Sequence, residues 1–236
     1  RALLSAAVPA GRNPRPGILP VSGQQNGTGG GSLSQTNSGA LGGKREKVTA
    51  KVAWAGGIFM FGIRQIDKMH QQDILLENEP FPLWGRMIPS YEKEKWSYSI
   101  VKFGRQDTGE MCFPNENYDF DSMSRNSTFI GAYDNGKCIG LAILRDGFLR
   151  YWYLYDLKVK QDYRRQGAAS MLIEKAKELA AKKGYLGIYT QAQDNNLSAC
   201  LFYLNNGFRI GGLDTEIYNG TNQEGKADIL FYLDLL

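Results

Sequence analysis

One histidine in 236 residues leaves little room for chemistry built on imidazole. A Ser-His-Asp or Cys-His nucleophile would have to use His70, which lies in a polar stretch at 68–73 and reads as a solvated surface side chain. Cysteine is scarce as well. Cys112, Cys138 and Cys200 follow neither a disulfide framework nor a zinc-ligand spacing, so no metal is expected. Long apolar runs are also missing. Residues 52–63 form the longest, interrupted by Gly56, Gly57 and Gly62, and fall short of the roughly twenty needed to span a bilayer. No membrane partner is expected, and the expected location is cytoplasmic.

Acidic residues are nearly absent from the first quarter of the chain. Residues 1–59 hold seven Lys or Arg against the single Glu46, and 12 of the 28 glycines. Runs such as 23–32 cannot bury enough apolar surface to offset chain entropy, so 1–59 is expected to be a disordered or non-native tail and 60–236 the folded domain. The chain begins with Arg1, and its first methionine is Met60. A fusion remnant, a translated upstream region or a processed segment would each account for this. The tail supplies +6 of a net charge of +4, which leaves −2 on the remainder. The basic balance therefore belongs to the tail, and no nucleic-acid partner is expected.

What is present reads as mixed α and β. Residues 60–74 suggest a strand running into a polar helix or turn, and 96–103 alternate as a strand should. Residues 104–125 form a polar loop. Residues 127–133 and 137–144 flank Asp134-Asn135-Gly136, a type I′ hairpin signal. A strand at 151–159 precedes an amphipathic helix at 170–183 with an apolar stripe of Ala169, Leu172, Ile173, Ala176, Leu179 and Ala180, ended by Gly184. A strand at 186–191, a short helix at about 196–205 and strands near 208–213 and 229–235 complete an α+β arrangement.

The junction between the 151–159 strand and its helix reads Arg164-Arg165-Gln166-Gly167-Ala168-Ala169. A strand, a glycine-containing loop and an immediate helix start direct several backbone N–H groups at one anionic group. Gly167 permits close approach, Ala168 and Ala169 leave room, and the two arginines add positive charge. An ordinary strand-to-helix turn would look the same. About thirty residues on, Asn196, Ala199, Tyr203 and Gly207-Phe208 follow N-x-x-A-x-x-x-Y-x-x-x-G-F, which sets an amide and a phenol along one helix face.

Taken together, these two motifs resemble the GNAT superfamily of acetyltransferases. The resemblance implies a mixed, mostly antiparallel sheet flanked by helices, with acetyl-CoA as co-substrate and no metal. It implies cofactor contacts at Leu157, Lys158, Val159, Arg164, Arg165, Gln166, Gly167, Ala168, Ala169, Asn196 and Tyr203. A narrower likeness, carried by 80–96, 136–140, 153–159, 193–203, 207–208 and 213–215, is to streptothricin acetyltransferases. These acetylate an amine of the β-lysine part of that antibiotic and so inactivate it. Some members carry a densely acidic loop where this chain has Asp107, Glu110, Glu116, Asp119 and Asp121.

The implied chemistry needs a group to take a proton from an amine of pKa near 10, and a group to protonate the leaving thiolate. Asp156 is the nearest carboxylate for the first task, and serves equally as a binding group for a cationic substrate. In some GNAT enzymes a glutamate base stands where this chain has Tyr153. A water chain or substrate self-assistance therefore remains open. Tyr203 stands at the position implied for the general acid. Tyr153 and Asp214 join Asp156 as candidate substrate contacts. The partner expected is a small-molecule amine, with the protein a monomer or homodimer. Acetylation of a protein or polyamine, or acyl-CoA sensing without catalysis, are the alternatives.

Overall fold

The structure is a computed structural model that describes residues 52–54, 57–59, 61–147 and 149–235. Strands β1 (Val52–Trp54) and β2 (Gly57–Phe59) pair antiparallel inside the stretch expected to be a tail. The rest of that stretch lies outside the described residues. Among the described residues, no helix is long and apolar enough to cross a membrane.

Strand β3 (Gly62–Gln65) is followed by a 3₁₀ segment, Lys68–Leu75, capped by the Asp67 carboxylate. The short strand β4 (Phe81–Leu83) comes next, then the hairpin β5 (Gly85–Glu92) and β6 (Lys95–Lys102), then β7 (Gly109–Met111) and the one-turn helix α1 (Phe120–Met123). The remaining elements are β8 (Ser127–Asp134), β9 (Lys137–Arg145), β10 (Tyr151–Val159), helix α2 (Ala168–Lys182), β11 (Gly187–Gln193), helix α3 (Leu197–Asn205), β12 (Arg209–Asp214) and β13 (Asp228–Asp234). Seven strands form one sheet in the order β12-β13-β11-β10-β9-β8-β3. Only β10 and β11 run parallel; the other neighbours are antiparallel. The expected mixed sheet with flanking helices is the observed fold.

Local chemistry accounts for these elements. Asn135 and Gly136 at φ 47 and 83 make the type I′ turn that joins β8 to β9. Helix α2 begins two residues earlier than the periodicity predicts, because Gly167 at φ 88 already turns the chain. It ends in a Schellman motif, with Tyr185 N–H on the Ala180 carbonyl and Gly184 N–H on that of Ala181. The hairpin of β5 and β6 escapes sequence inspection at its turn, where Lys93 and Glu94 take φ 47 and 63 without glycine or asparagine.

Ala168, Met171, Leu172, Ile173, Ala176 and Ala180 turn the buried face of α2 onto the sheet. They meet Ile130, Ile139, Ala142, Leu144, Leu154 and Ile188 in the main core. Each large aliphatic enclosed there contributes about 1.5–3 kcal/mol. The opposite face of β8 and β9 carries a second core of Phe129, Leu141 and Ile143. Ile74 from the 3₁₀ segment and Phe120 and Met123 from α1 close it.

Candidate active site

The parallel pairing of β10 with β11 stops after three residues, at Tyr153↔Tyr189. Beyond it β10 stays on β9 as far as Val159↔Gly140, and β11 stays on β13 as far as Gln193↔Asp228, so the sheet divides into a cleft. A bulge between Leu154 and Asp156 bends β10 at this point. Thr190, 3% exposed, bridges the apex by donating its hydroxyl to the Leu154 carbonyl at 2.9 Å. Lys160 N–H bonds Ile139 on β9, so by the two-residue alternation of the ladder the amides of Leu157 and Val159 face the cleft.

Helix α2 starts beside the end of β10. Its first three residues, Ala168, Ala169 and Ser170, have no intrahelical acceptor for their N–H groups; the first helical bond is Met171 N–H to the Gly167 carbonyl. Arg165 at φ 60 and Gly167 at φ 88 curl the preceding loop into an N–H-lined concavity. Arg164 is turned inward: it bonds the carbonyls of Val159 (3.0 Å), Pro80 (2.5 Å) and Glu79 (3.2 Å). Gln166 is likewise held by the Asp162 carbonyl at 2.6 Å. The exposed Arg165 is the loop's outward cation.

Helix α3 closes the other wall. Asn196 is its N-cap, with Oδ1 accepting from Ala199 N–H at 3.1 Å, so N-x-x-A is here a capping spacing. Trp84 Nε1 donates to Ser198 Oγ at 2.8 Å and Met87 N–H to the Asp194 carbonyl at 2.9 Å, which docks β5 across the start of α3. Tyr203 is 7% exposed, with Phe208 and Phe231 ring centroids at 5.3 and 5.5 Å. Burial pushes its phenol above the ordinary value; a hydrogen bond with Thr190 opposes this, and the charge of Asp156 adds to it.

Asp156 is paired. Its Oδ2 accepts from Tyr118 Oη at 3.1 Å and from Lys158 Nζ at 3.0 Å, and Lys158 Nζ also reaches Glu116 Oε2 at 2.7 Å. Burial lowers the proton affinity of Lys158, but Asp156 and Glu116 outweigh it and hold the ammonium above its ordinary pKa. Tyr118 is pushed up by burial and by the same two carboxylates. Tyr153 donates to Gln191 Oε1 at 3.0 Å and stacks on Tyr189 at 4.6 Å. Asp214 instead accepts from the N–H groups of Glu216 and Ile217, ending β12, and among the described residues no ion pair or hydrogen bond joins it to Asp156. Glu116, Tyr118 and Thr190 were not singled out from sequence as site residues. Nothing in their local pattern separates them from other loop and strand residues.

The Acetyltransferase (GNAT) family model matches residues 91–208, half of the chain. Streptothricin acetyltransferase A of Bacillus subtilis (strain 168) is 29% identical over 170 residues, 72% of this chain and 98% of that one. A candidate streptothricin acetyltransferase of Bacillus anthracis, solved with acetyl coenzyme A, superposes with TM-score 0.63 at 27% identity over 73% of this chain and 96% of its own. A nourseothricin acetyltransferase at 20% identity shares the fold, with TM-score 0.62 over 75% and 99% of the two chains. A divided sheet, an N–H-lined helix start and a family match that spans both place the donor's identity beyond composition. The chain belongs to the acetyltransferase (GNAT) family and is an N-acetyltransferase that uses acetyl-CoA.

Proposed function

We propose that this enzyme acetylates a primary amine of streptothricin, in its β-lysine part, and so inactivates the antibiotic. The observation that carries this acceptor is the similarity to a streptothricin acetyltransferase over 98% of that protein's length. The site is compatible in charge: buried carboxylates at Asp156 and Glu116 lie on the cleft-forming strand and against it.

Acetyl-CoA supplies an activated acetyl thioester. The amides of Leu157 and Val159 on the open edge of β10 would hold its amide-bearing arm. The N–H groups of Gly167, Ala168 and Ala169, with Arg165 alongside, would hold its pyrophosphate at the positive end of α2. Arg164 and Gln166 serve this cradle by bracing the loop, and Asn196 by starting α3 so that Tyr203 faces the cleft.

Asp156 attracts the ammonium of the acceptor, and Asp156 or a water that it holds takes the amine proton. Tyr203, kept protonated at neutral pH by burial, gives its phenolic proton to the departing sulfur as the C–N bond forms and the C–S bond breaks. Thr190 then turns its hydroxyl toward the phenolate oxygen. The test is thiol release with acetyl-CoA and streptothricin, compared with spermidine and lysine-containing peptides. Saturable release with streptothricin at the highest kcat/KM is expected; a higher value for a peptide or for spermidine overturns the acceptor.

A further inference from the structure

We propose that Glu116 is an ammonium-binding residue of the acceptor subsite beside Asp156, receiving a primary ammonium on its Oε1; this rests on the cationic acceptor argued above. Glu116 belongs to the loop between β7 and α1, and its side chain is 8% exposed. Its Oε2 is fully used by Lys158 Nζ at 2.7 Å and Asn78 Nδ2 at 3.0 Å. Its Oε1 is buried and has no donor among the described residues. A buried acceptor left without a donor costs about 1–3 kcal/mol, and more when charged.

Charge makes the same point independently. The cluster holds two carboxylates, Asp156 and Glu116, and one ammonium, Lys158, so it carries a net charge of −1 under side chains about one tenth exposed. Among the described residues, no second cation forms an ion pair with either carboxylate. Arg145 stacks instead over the Tyr155 ring at 4.5 Å. A water molecule would supply a donor but leave the charge uncompensated; a primary ammonium supplies both.

The surroundings suit that occupant. Tyr118 and Tyr155 rings lie 6.2 Å apart, Tyr155 and Tyr153 5.8 Å apart, and the Lys158 ammonium already sits 5.4 Å from the Tyr118 ring. Aromatic faces of this kind favour cations. Asp156 links the subsite to Tyr203, whose proton affinity its charge raises. An ammonium on Glu116 is thus held on the strand that carries the cleft, with a second carboxylate beside it.

The experiment is steady-state kinetics of Glu116→Gln with streptothricin, read by thiol release, together with acetyl-CoA affinity by calorimetry and a thermal melt. The expected result is a rise in KM for streptothricin of about 10–100-fold, as for loss of a charged hydrogen bond, with kcat within a few-fold and acetyl-CoA affinity unchanged. An unchanged KM in the folded variant overturns the assignment, as does an equal loss of acetyl-CoA affinity. Should Glu116→Gln not fold, Glu116→Asp keeps the charge but draws it back, and an unchanged KM there overturns it equally. If the parent enzyme turns over spermidine but not streptothricin, the acceptor proposed above fails, and the KM comparison with spermidine decides Glu116. Absence of turnover with every amine removes both.

Discussion

Thr190→Val removes one hydroxyl from the apex of the cleft while keeping the size and branching of the side chain. Thr190 has a single proton, donated to the Leu154 carbonyl at 2.9 Å, and its hydroxyl lowers the proton affinity of the Tyr203 phenol. Valine leaves that carbonyl without its donor where Leu154 is 1% exposed. The expected cost is about 2 kcal/mol, which in a domain of this size lowers Tm by about 4–8 °C. Loss of the phenol's partner adds about 1 kcal/mol to the barrier, so kcat falls about fivefold or more. Thermal melts and kcat at saturating acetyl-CoA and amine measure both, and Thr190→Ser should restore both. The decisive comparison is the double variant with Tyr203→Phe. If Thr190 acts through the phenol, valine has no further effect on kcat once the phenol is gone. An equal fall in both backgrounds, or an unchanged kcat in Thr190→Val, would refute the reasoning.

Tyr203→Phe alone should lower kcat about 10²-fold or more while calorimetry finds acetyl-CoA affinity unchanged; weakened binding would instead mark a packing role. Gly187→Ala should destabilise the fold by about 3 kcal/mol or more in denaturant titrations, because its Cβ would lie 2.1 Å from the Leu233 carbonyl oxygen and 2.6 Å from the Tyr151 ring. A near-neutral effect there would mean that the three strands part more easily than their packing implies. Asp228 is buried, and burial raises its pKa above the ordinary 3.8 even though Tyr218 donates to it. A carboxyl raised in the folded state favours folding in its protonated form, so its ionisation lowers stability as pH climbs above about 4. Asp228→Asn should therefore raise Tm at pH 7, with the gain shrinking toward pH 4; a pH-independent difference would contradict this.

Several elements were legible because their causes are local. The Asn135-Gly136 turn adopts positive φ at two residues that tolerate it, and strands β8 and β9 follow on either side. The 3.6-residue stripe of α2 and the glycine that ends it are equally self-contained. Strand β5 was hidden because its turn is made by Lys93 and Glu94, ordinary residues held at positive φ by the hairpin rather than by their own preference. Asn196 looked like a ligand amide, yet the spacing to Ala199 serves the helix itself. Arg164 looked like a phosphate ligand, yet three carbonyls across the chain claim its guanidinium.

By itself the sequence determined the body of helix α2 and the strand before it, since turn chemistry and periodicity act over a few residues. Only the tertiary structure decided that β10 and β11 part after three pairs, that Thr190 ties the apex to the Leu154 carbonyl, and that Glu116 meets Lys158 from 42 positions away. Those outcomes depend on burial and on charges brought together across the fold. A carboxylate in a polar loop carries no local mark of the ammonium that it will face once water is removed.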